Sequence, residues 1–294
     1  MSSSDRLYLS QIMLDLVHEA GKVALGLIEE SSPDLKADAS VITIADRNIS
    51  ALAHRVLAPL LSTGEHFLVD EEDPFRGNML HKGKLETIPY LWAIDPIDAT
   101  RAYANRMPHY GISLGLVRNG RPWMGAVLFP SLDELFYCDG ENACFVRHPF
   151  TDKAIVRPVV ESRQDISSVS VFICTDELLK EFVWDSPDCR VMIFSAAVCE
   201  FCWPAIGRGC GSLSRVYLWD MAGSWPIFEK AGLKMFSFRT GRPLDQLSVE
   251  LFETGESPWR FRDFFILCRP EHFELLRARV RFQDRAAVPR KEAL

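Results

Sequence analysis

Hydrophobic residues recur at helical spacing in the first 60 residues of the chain. The first pattern runs from Arg6 to about Glu30, and its apolar positions are Leu7, Ile12, Leu14, Leu16, Val17, Val23, Leu25 and Leu27. A second pattern begins near Asp46 and stops before Gly64, with an apolar face made of Ile49, Leu52, Val56 and Leu60. Both patterns predict amphipathic helices.

Shorter apolar runs follow and predict strands. The runs over 66–69 and 90–94 are separated by a charged loop. From Tyr110 to Val146, short apolar segments alternate with turn signals such as Asn119-Gly120, which predicts an antiparallel meander.

The pattern changes again beyond about residue 156. The predicted elements there are a strand over 169–174, a helix after Thr175, a strand near 191, a helix over 196–206, and a strand and helix around Trp219 that end at 231–232. Such alternation predicts an α/β half packed against the first one. The sequence therefore predicts a mixed α/β fold with two parts, residues 1–155 and 156–294, joined in one compact unit.

Composition and charge exclude several classes of protein. The 294 residues are 48% hydrophobic and 25% charged, as in soluble globular proteins, and 33 basic against 40 acidic residues give a formal net charge of −7. This acidic balance argues against nucleic acid or an anionic membrane as a partner. Apolar runs are far shorter than the ~20 residues of a membrane span, and no secretory signal is visible. Eight scattered cysteines, without the spacing of a zinc site, predict free thiols and a cytoplasmic protein.

Candidate chemistry is concentrated where the strand over 90–94 runs into the segment Asp-Pro-Ile-Asp-Ala-Thr. A proline between two carboxylates fixes one backbone dihedral, so we expect a sharp turn. With Asp98 as the N-cap of a following helix, the amides of Ala99 and Thr100 would point into the same cleft as both carboxylates. Asp95, Asp98 and the Ile97 carbonyl are oxygen donors of the kind that Mg²⁺ takes. The alternative is a plain strand-to-helix turn with an aspartate cap.

Three further acids stand at the ends of predicted strands or the starts of predicted helices. Loops at the same ends of neighbouring strands converge on ligand sites, so we expect Glu71 to share a cation with Asp95. Asp46, close to the Thr100 hydroxyl, would orient an attacking water. Asp220 follows a strand that gives way to a helix. Taken singly, each of these acids is more typical of a solvated loop or a helix cap.

The motifs occur in a fixed order along the chain. They are Lys36 with Thr43-x-x-Asp46, Glu71-Glu72, Asp95-Pro-Ile-Asp98-Ala-Thr100, Ser195-Ala196-Ala197 and Trp219-Asp220-x-Ala222. Together they resemble the inositol monophosphatase family of magnesium-dependent, lithium-sensitive phosphomonoesterases, over about residues 8 to 280. The resemblance implies a layered αβαβα sandwich, usually a homodimer, that hydrolyses a small phosphorylated metabolite such as an inositol or sugar phosphate.

The resemblance also implies a role for individual residues. The ligands of two or three Mg²⁺ ions would be Glu71, Asp95, the Ile97 carbonyl, Asp98 and Asp220. The catalytic set would consist of Asp46, Glu71 and Thr100, with Asp46 and Thr100 positioning the attacking water. The phosphate and substrate contacts would be Ala99, Thr100, Ser195 and Ala196. Direct in-line attack by water, without a phosphoenzyme, is the mechanism that this set implies.

Three positions depart from the family pattern. Ala99 and Phe194 stand where the family usually has glycine, and we expect little cost at Ala99 because alanine readily adopts a helical φ. Leu213 replaces an acid that contacts an inositol hydroxyl in the family, and Arg215 lies nearby. Since a leucine cannot accept that hydrogen bond, inositol monophosphate is a weak substrate candidate.

Three alternative functions follow from these observations. The departures fit a phosphatase-like binding scaffold with weak or no turnover. The acidic run before Pro74 resembles the 3′-phosphoadenosine 5′-phosphate nucleotidase branch of the family. A G-x-S-x-G match over 111–115 would suggest a serine hydrolase, but apolar alternation continues past it and predicts Ser113 inside a strand.

Overall fold

The computed structural model describes residues 3–30, 33–36, 40–74, 84–161, 165–176, 179, 181–185, 188–255 and 258–282. The α-helices in this part of the chain include α1 (Ser3–Leu27), α2 (Ile44–Leu61), α3 (Thr100–Ala104), α4 (Ala197–Ala205), α5 (Leu218–Ala222), α6 (Trp225–Lys230) and α7 (Phe273–Ala278). Within these ranges, no helix is both long enough and apolar enough to span a bilayer.

The strands form two large sheets and two small ribbons. The strands of the first half are β1 (Asp34–Leu35), β2 (Val41–Ile42), β3 (His66–Asp70), β4 (Tyr90–Asp98), β5 (Gly111–Arg118), β6 (Arg121–Phe129), β7 (Glu134–Cys138), β8 (Ala143–Arg147) and β9 (Ile155–Pro158). Those of the second half are β10 (Val171–Cys174), β11 (Phe182–Trp184), β12 (Arg190–Ile193), β13 (Gly211–Ser214), β14 (Lys234–Ser237), β15 (Phe265–Cys268) and β16 (Val280–Phe282).

The larger sheet has seven strands in the order β3-β4-β5-β6-β7-β8-β9. Its first pair is parallel and its other neighbours are antiparallel. The smaller sheet has five strands in the order β12-β10-β13-β15-β14, parallel over the first three and antiparallel over the rest.

The helices and sheets stack in five layers. The apolar stripes of α1 and α2 are buried against one face of the seven-stranded sheet. The helices α4, α5 and α6 lie between its other face and the five-stranded sheet. Finally, α7 packs on the outer face of the smaller sheet, against β15. The predicted αβαβα sandwich is therefore confirmed.

Most predicted elements are present with small shifts of their ends. The first helix begins three residues earlier than expected at Ser3, and the meander forms β5 to β8. The helix predicted around Trp219 is instead two short helices, α5 and α6, separated at residues 223–224. The helix predicted after Thr175 falls largely on residues outside the described ranges. The division of the chain near residue 155 stays a prediction.

Two glycines allow the middle layer to approach the seven-stranded sheet closely. A Cβ atom at Gly115 in β5 would enter the backbone of Ala222, and one at Gly125 in β6 would enter that of Gly223. Only glycine permits a backbone approach of this kind. It brings α5, which carries Asp220, against the sheet near the end of β4.

Ser113 lies in the middle of β5 and is fully buried. Its hydroxyl donates a hydrogen bond to the Trp219 carbonyl at 3.0 Å. A nucleophile elbow requires an exposed serine on a sharp turn between a strand and a helix. The G-x-S-x-G match is therefore a strand sequence, and the serine hydrolase alternative is wrong.

Candidate active site

Three aspartates converge where β4 ends and α5 begins. One carboxylate oxygen from each of Asp95, Asp98 and Asp220 lies within 4.8 Å of the other two. Asp220 accepts a hydrogen bond from the Tyr217 amide at 2.7 Å. In contrast, Asp95 Oδ1 is buried without a hydrogen-bond donor among the described residues. A buried carboxylate oxygen with no donor is costly, and a bound cation would offset that cost.

The electrostatics of these three residues, the aspartate cluster, point the same way. Burial raises the pKa of Asp98 to about 7, although two backbone amides of α4 oppose this effect. The pKa values of Asp95 and Asp220 lie well above the ordinary range, first because of burial and then because of the charges of Glu71 and Asp98 respectively. Hard divalent cations take carboxylate oxygens and would cancel this repulsion. The residues present therefore fit a magnesium site.

Glu71 lies beside the aspartate cluster and is already paired with a cation of the protein. Lys36 Nζ lies 3.0 Å from a Glu71 oxygen and 2.9 Å from a Glu72 oxygen. Burial acts to lower the pKa of Lys36, but the two glutamates outweigh it and raise that pKa. Burial, followed by the charge of Glu71, raises the pKa of Glu72 to about 7. The loop after β3 thus adds acidity next to the cluster, as the sequence predicts for Glu71.

Asp46 and Thr100 are each hydrogen-bonded, but to residues other than the expected ones. The Oδ2 atom of Asp46 accepts bonds from the Thr43 amide at 2.7 Å and the Thr43 hydroxyl at 2.6 Å, which caps α2. The Thr100 hydroxyl donates to the Ile97 carbonyl at 3.1 Å. The other Asp46 oxygen is buried without a donor in the described part of the chain. Burial raises the Asp46 pKa to about 6, against the lowering effect of Thr43.

The turn after β4 differs from the predicted one. β4 continues through Asp98, and the N-cap of α3 is Ala99 at φ 65° and ψ 50°, in the left-handed region. The small cost expected at Ala99 is therefore wrong, because alanine in this region is disfavoured by about 1 kcal/mol. The Asp98 carboxylate accepts hydrogen bonds from the Ala197 amide at 3.2 Å and the Val198 amide at 2.9 Å. The predicted cap of α3 in fact caps α4, across the cleft.

The segment before α4 contains a second left-handed residue. Ser195 has a φ of 50°, whereas Phe194 is not among the positive-φ residues of the described chain. The left-handed backbone that favours glycine is therefore at Ser195 in this chain, and Phe194 does not require it. Phe194 forms edge contacts with His109 and Trp203, at ring-centre distances of 6.0 and 4.9 Å. Its side chain therefore forms part of the cleft wall without occupying the glycine position.

Leu213 and Arg215 do not reach the cleft. Alternation along β13 turns Leu213 to the outer face of the five-stranded sheet, where it is buried with α7. Arg215 pairs with Glu181 at 3.3 Å and lies over the Phe264 ring. Of Phe194, Leu213 and Arg215, only Phe194 lines the cleft.

The cleft around the aspartate cluster has a volume of about 1050 Å³. Eight predicted site residues are among those that line it: Glu71, Asp95, Ile97, Asp98, Ala99, Thr100, Ser195 and Asp220. Asp46 and Ala196, also predicted, are buried behind the lining. A space of this size exceeds what a phosphate group needs and leaves room for a drug-sized leaving group.

The sequence did not identify several other residues of the cleft lining. They are Met107, His109, Asp176 and Tyr217. The signal for Tyr217 was available, because it precedes Trp219-Asp220 in the same strand-to-helix connection. No local pattern marks the others, which reach the cleft only through the arrangement of the layers.

Comparisons with known proteins agree with this geometry. The chain is 28% identical over 246 residues to the histidinol-phosphatase of Chlorobaculum parvum, which covers 78% of this chain and 85% of that protein. It is 27% identical over 258 residues to the inositol-1-monophosphatase of Rhizobium meliloti, with 82% and 90% covered. A crystal structure of an IMPase/NADP phosphatase with Mg²⁺ and phosphate shares the fold, with a TM-score of 0.69 at 17% identity and 92% and 95% of the chains covered.

These relatives are phosphatases by name, and the match to their family extends over most of the chain. Residues 8–263 match the model of the inositol monophosphatase family. All five motifs that carry the resemblance, including the three residues of the aspartate cluster, lie inside that range. The chain therefore belongs to the inositol monophosphatase family.

Proposed function

We propose that this phosphatase hydrolyses a small phosphate monoester by direct attack of water, with two or three Mg²⁺ ions as cofactor. The observation that carries the proposal is the aspartate cluster, in which two buried carboxylates and the half-buried Asp220 converge and Asp95 Oδ1 has no donor among the described residues. Clusters of this kind are costly unless cations bind. The proposed ligands are the cluster, Glu71 and the Ile97 carbonyl.

In this mechanism, bound Mg²⁺ would hold the phosphate oxygens, lower the pKa of the attacking water and stabilise the leaving oxygen. The residues of the chain bind and orient the reactants. In the proposal, Asp46 accepts a proton of the water through its Oδ1 atom, and Thr100, which lines the cleft, helps to orient that water. The new phosphorus–oxygen bond forms as the bond to the leaving alcohol breaks, and the alcohol takes up a proton. No protein nucleophile is required.

The phosphate is proposed to lie against Ala99 and Thr100, which line the cleft next to the aspartates. On the opposite side, the amides of Ala197 and Val198 already donate to Asp98. On this side the proposed substrate contact is Ser195, whose side chain is exposed in the cleft, whereas Ala196 is buried.

The leaving group is proposed to be less rich in hydroxyls than inositol. The cleft lining includes the rings of Phe194, His109 and Tyr217 and the exposed residue Asp176. Rings of this kind stack on a flat heterocycle, and a carboxylate attracts an ammonium group. The name of the 28% identical relative, histidinol-phosphatase, supports placing histidinol phosphate first among the candidates.

We also propose a cytoplasmic homodimer without nucleic-acid or membrane partners. The dimer and the lithium sensitivity rest on membership of the family. All eight cysteines are free thiols, which is typical of a reducing compartment. Light scattering of the purified protein would test the dimer.

Phosphate release from a panel of esters tests the function. The panel contains histidinol phosphate, inositol 1-phosphate, fructose 1,6-bisphosphate and 3′-phosphoadenosine 5′-phosphate, each with Mg²⁺. We expect turnover that EDTA abolishes and added Mg²⁺ restores, because the carboxylates alone repel phosphate. Metal-independent turnover would contradict the mechanism, and tight binding of esters without release would favour the scaffold alternative.

A further inference from the structure

We infer that Asp70 is a positioning residue that, with Ser50 and His54, holds the loop over 71–74 against α2 and thereby sets the affinity of the cleft for Mg²⁺. This inference rests on the proposed function, since it concerns the placement of Glu71. None of the three residues lines the cleft, so their action would be indirect.

The hydrogen bonds of Asp70 connect two parts of the chain. Asp70 is the last residue of β3, and only 1% of its surface is exposed. Its Oδ2 atom accepts a bond from the Ser50 hydroxyl at 2.5 Å and lies 3.1 Å from His54 Nε2. Its Oδ1 atom accepts the Glu72 amide at 2.9 Å, and its carbonyl accepts the Asp73 amide at 3.2 Å. One carboxylate thus joins α2 to the backbone of the 71–74 loop.

The helix face involved is the one that carries Asp46. Ser50 and His54 are four and eight residues after Asp46, so the three side chains follow one another along α2. Asp46 is the proposed acceptor of a water proton, and Glu71 is a proposed metal ligand. The Asp70 bonds therefore fix the separation of two groups that serve one reaction, where an error of about 1 Å can cost about 100-fold in rate.

Packing alone does not account for this carboxylate. The apolar residues Ile49, Ala53 and Leu57 already bury α2 in the core. An apolar side chain at position 70 would avoid placing another buried carboxylate next to Glu71 in sequence. An apolar residue could not accept the hydrogen bonds that the Asp70 carboxylate accepts from the loop and from α2.

The arrangement is also not a nucleophilic triad. In a triad, the serine hydroxyl bonds to the histidine, which bonds in turn to the aspartate. Here Ser50 donates directly to Asp70, and only 8% of the surface of Ser50 is exposed. The geometry is that of a clamp in which one carboxylate is the shared acceptor.

Magnesium binding tests the clamp separately from turnover. Calorimetric titration with Mg²⁺ alone, without substrate, is compared for the wild type, Ser50→Ala, Asp70→Asn and Ser50→Thr. We expect Ser50→Ala to weaken Mg²⁺ binding by about 10-fold and Asp70→Asn by up to about 100-fold, the range found when residues that orient metal ligands are removed. Ser50→Thr keeps the hydroxyl and should restore wild-type affinity.

Asp139→Asn is a matched control. Asp139 also accepts loop amides, those of Glu141 and Asn142 at 2.9 and 2.7 Å, and pairs with Arg6 of α1 at 2.9 Å. Its loss should lower stability without changing Mg²⁺ affinity, because it lies outside the cleft lining.

The outcomes separate the two proposals. Mg²⁺ affinity in Ser50→Ala equal to that of wild type would overturn the clamp while leaving the phosphatase assignment intact. A wild-type protein that binds no Mg²⁺ would instead overturn the proposed function. If Asp70→Asn does not fold, Ser50→Ala and its threonine counterpart decide the question.

Discussion

Asp95 and Glu134 are buried carboxylates of the same seven-stranded sheet, yet their surroundings differ completely. Both oxygens of Glu134 accept bonds from the Arg208 guanidinium, at 2.5 and 2.6 Å. Asp95 lies among other acids and keeps one buried oxygen without a donor among the described residues. Glu134 is satisfied by a partner within the chain, whereas the Asp95 oxygen is available to a ligand from outside it.

The largest expected effect is the loss of turnover when Asp95, whose Oδ1 atom has no donor among the described residues, is replaced by asparagine. We expect Asp95→Asn to lower turnover by at least about 100-fold, because it removes a proposed metal ligand. The free energy of unfolding of this variant without metal should not fall, because the substitution removes one negative charge that repels the others in the aspartate cluster. Turnover and urea denaturation are measured on the same preparation.

Glu134→Gln is the matched control for this variant. It leaves Arg208 without its charged partner and should cost about 2 kcal/mol of stability while turnover is retained, since Arg208 is partly solvated. If Asp95→Asn were destabilising and fully active, Asp95 would behave like Glu134 and the proposed difference between the two carboxylates would be wrong.

The second effect is on how stability depends on pH. The folded-state pKa values of Asp98 and Asp46 are raised from 3.8 to about 7 and about 6. The folded state therefore holds these protons more tightly than the unfolded state. Their contribution to stability is fully present below about pH 4 and is lost as pH rises through 6 to 7.

We therefore expect the stabilisation by added Mg²⁺ to grow between pH 5 and pH 8, since Mg²⁺ replaces the lost protons. Denaturation with Mg²⁺ or EDTA at the two pH values measures it. If Mg²⁺ stabilised the protein equally at both pH values, Asp98 and Asp46 would not be the groups that lose protons over this range.

The smallest effect concerns the backbone beside the cluster. Ala99→Gly removes the strain of an alanine in the left-handed region but also raises the conformational entropy of the unfolded chain. We therefore expect a net gain of about 0.5 kcal/mol in the free energy of unfolding. Ala104→Gly, in α3 itself, should lose about 1 kcal/mol instead. Equal signs for the two variants, measured by thermal or chemical denaturation, would contradict the left-handed geometry at Ala99.

The elements and the acids that converge could be predicted from sequence, because both depend on short-range patterns. Apolar periodicity predicted α1, α2 and the meander, and the turn after the strand over 90–94 predicted that Asp95 and Asp98 would share a cleft. The rule that places ligands at the ends of neighbouring strands added Glu71, whereas Asp220 was added by the resemblance to the family.

Bonds between distant parts of the chain could not be predicted in the same way. The sequence predicts Asp98 as the cap of α3, because a carboxylate usually caps the helix that follows it. Its carboxylate oxygens instead accept hydrogen bonds from amides of α4, about a hundred residues away. The left-handed backbone at Ser195 could not be predicted either, because only the backbone angle shows which position favours glycine. The hydrogen bonds of Asp70 to Ser50 and His54 could not be predicted, because no sequence pattern in β3 or α2 indicates that these side chains meet.

The bond from Asp98 to α4 also determines how new substrates can be accommodated. Phe194 and Ser195 line the cleft immediately before α4, so the wall that faces the leaving group is attached to the aspartate cluster. Changes of side chain at these two positions can alter which ester fits without moving the reacting atoms. An insertion or deletion here would shift the amides that Asp98 holds. Point substitution, rather than a change of loop length, is thus the accessible route by which this scaffold can acquire a different specificity.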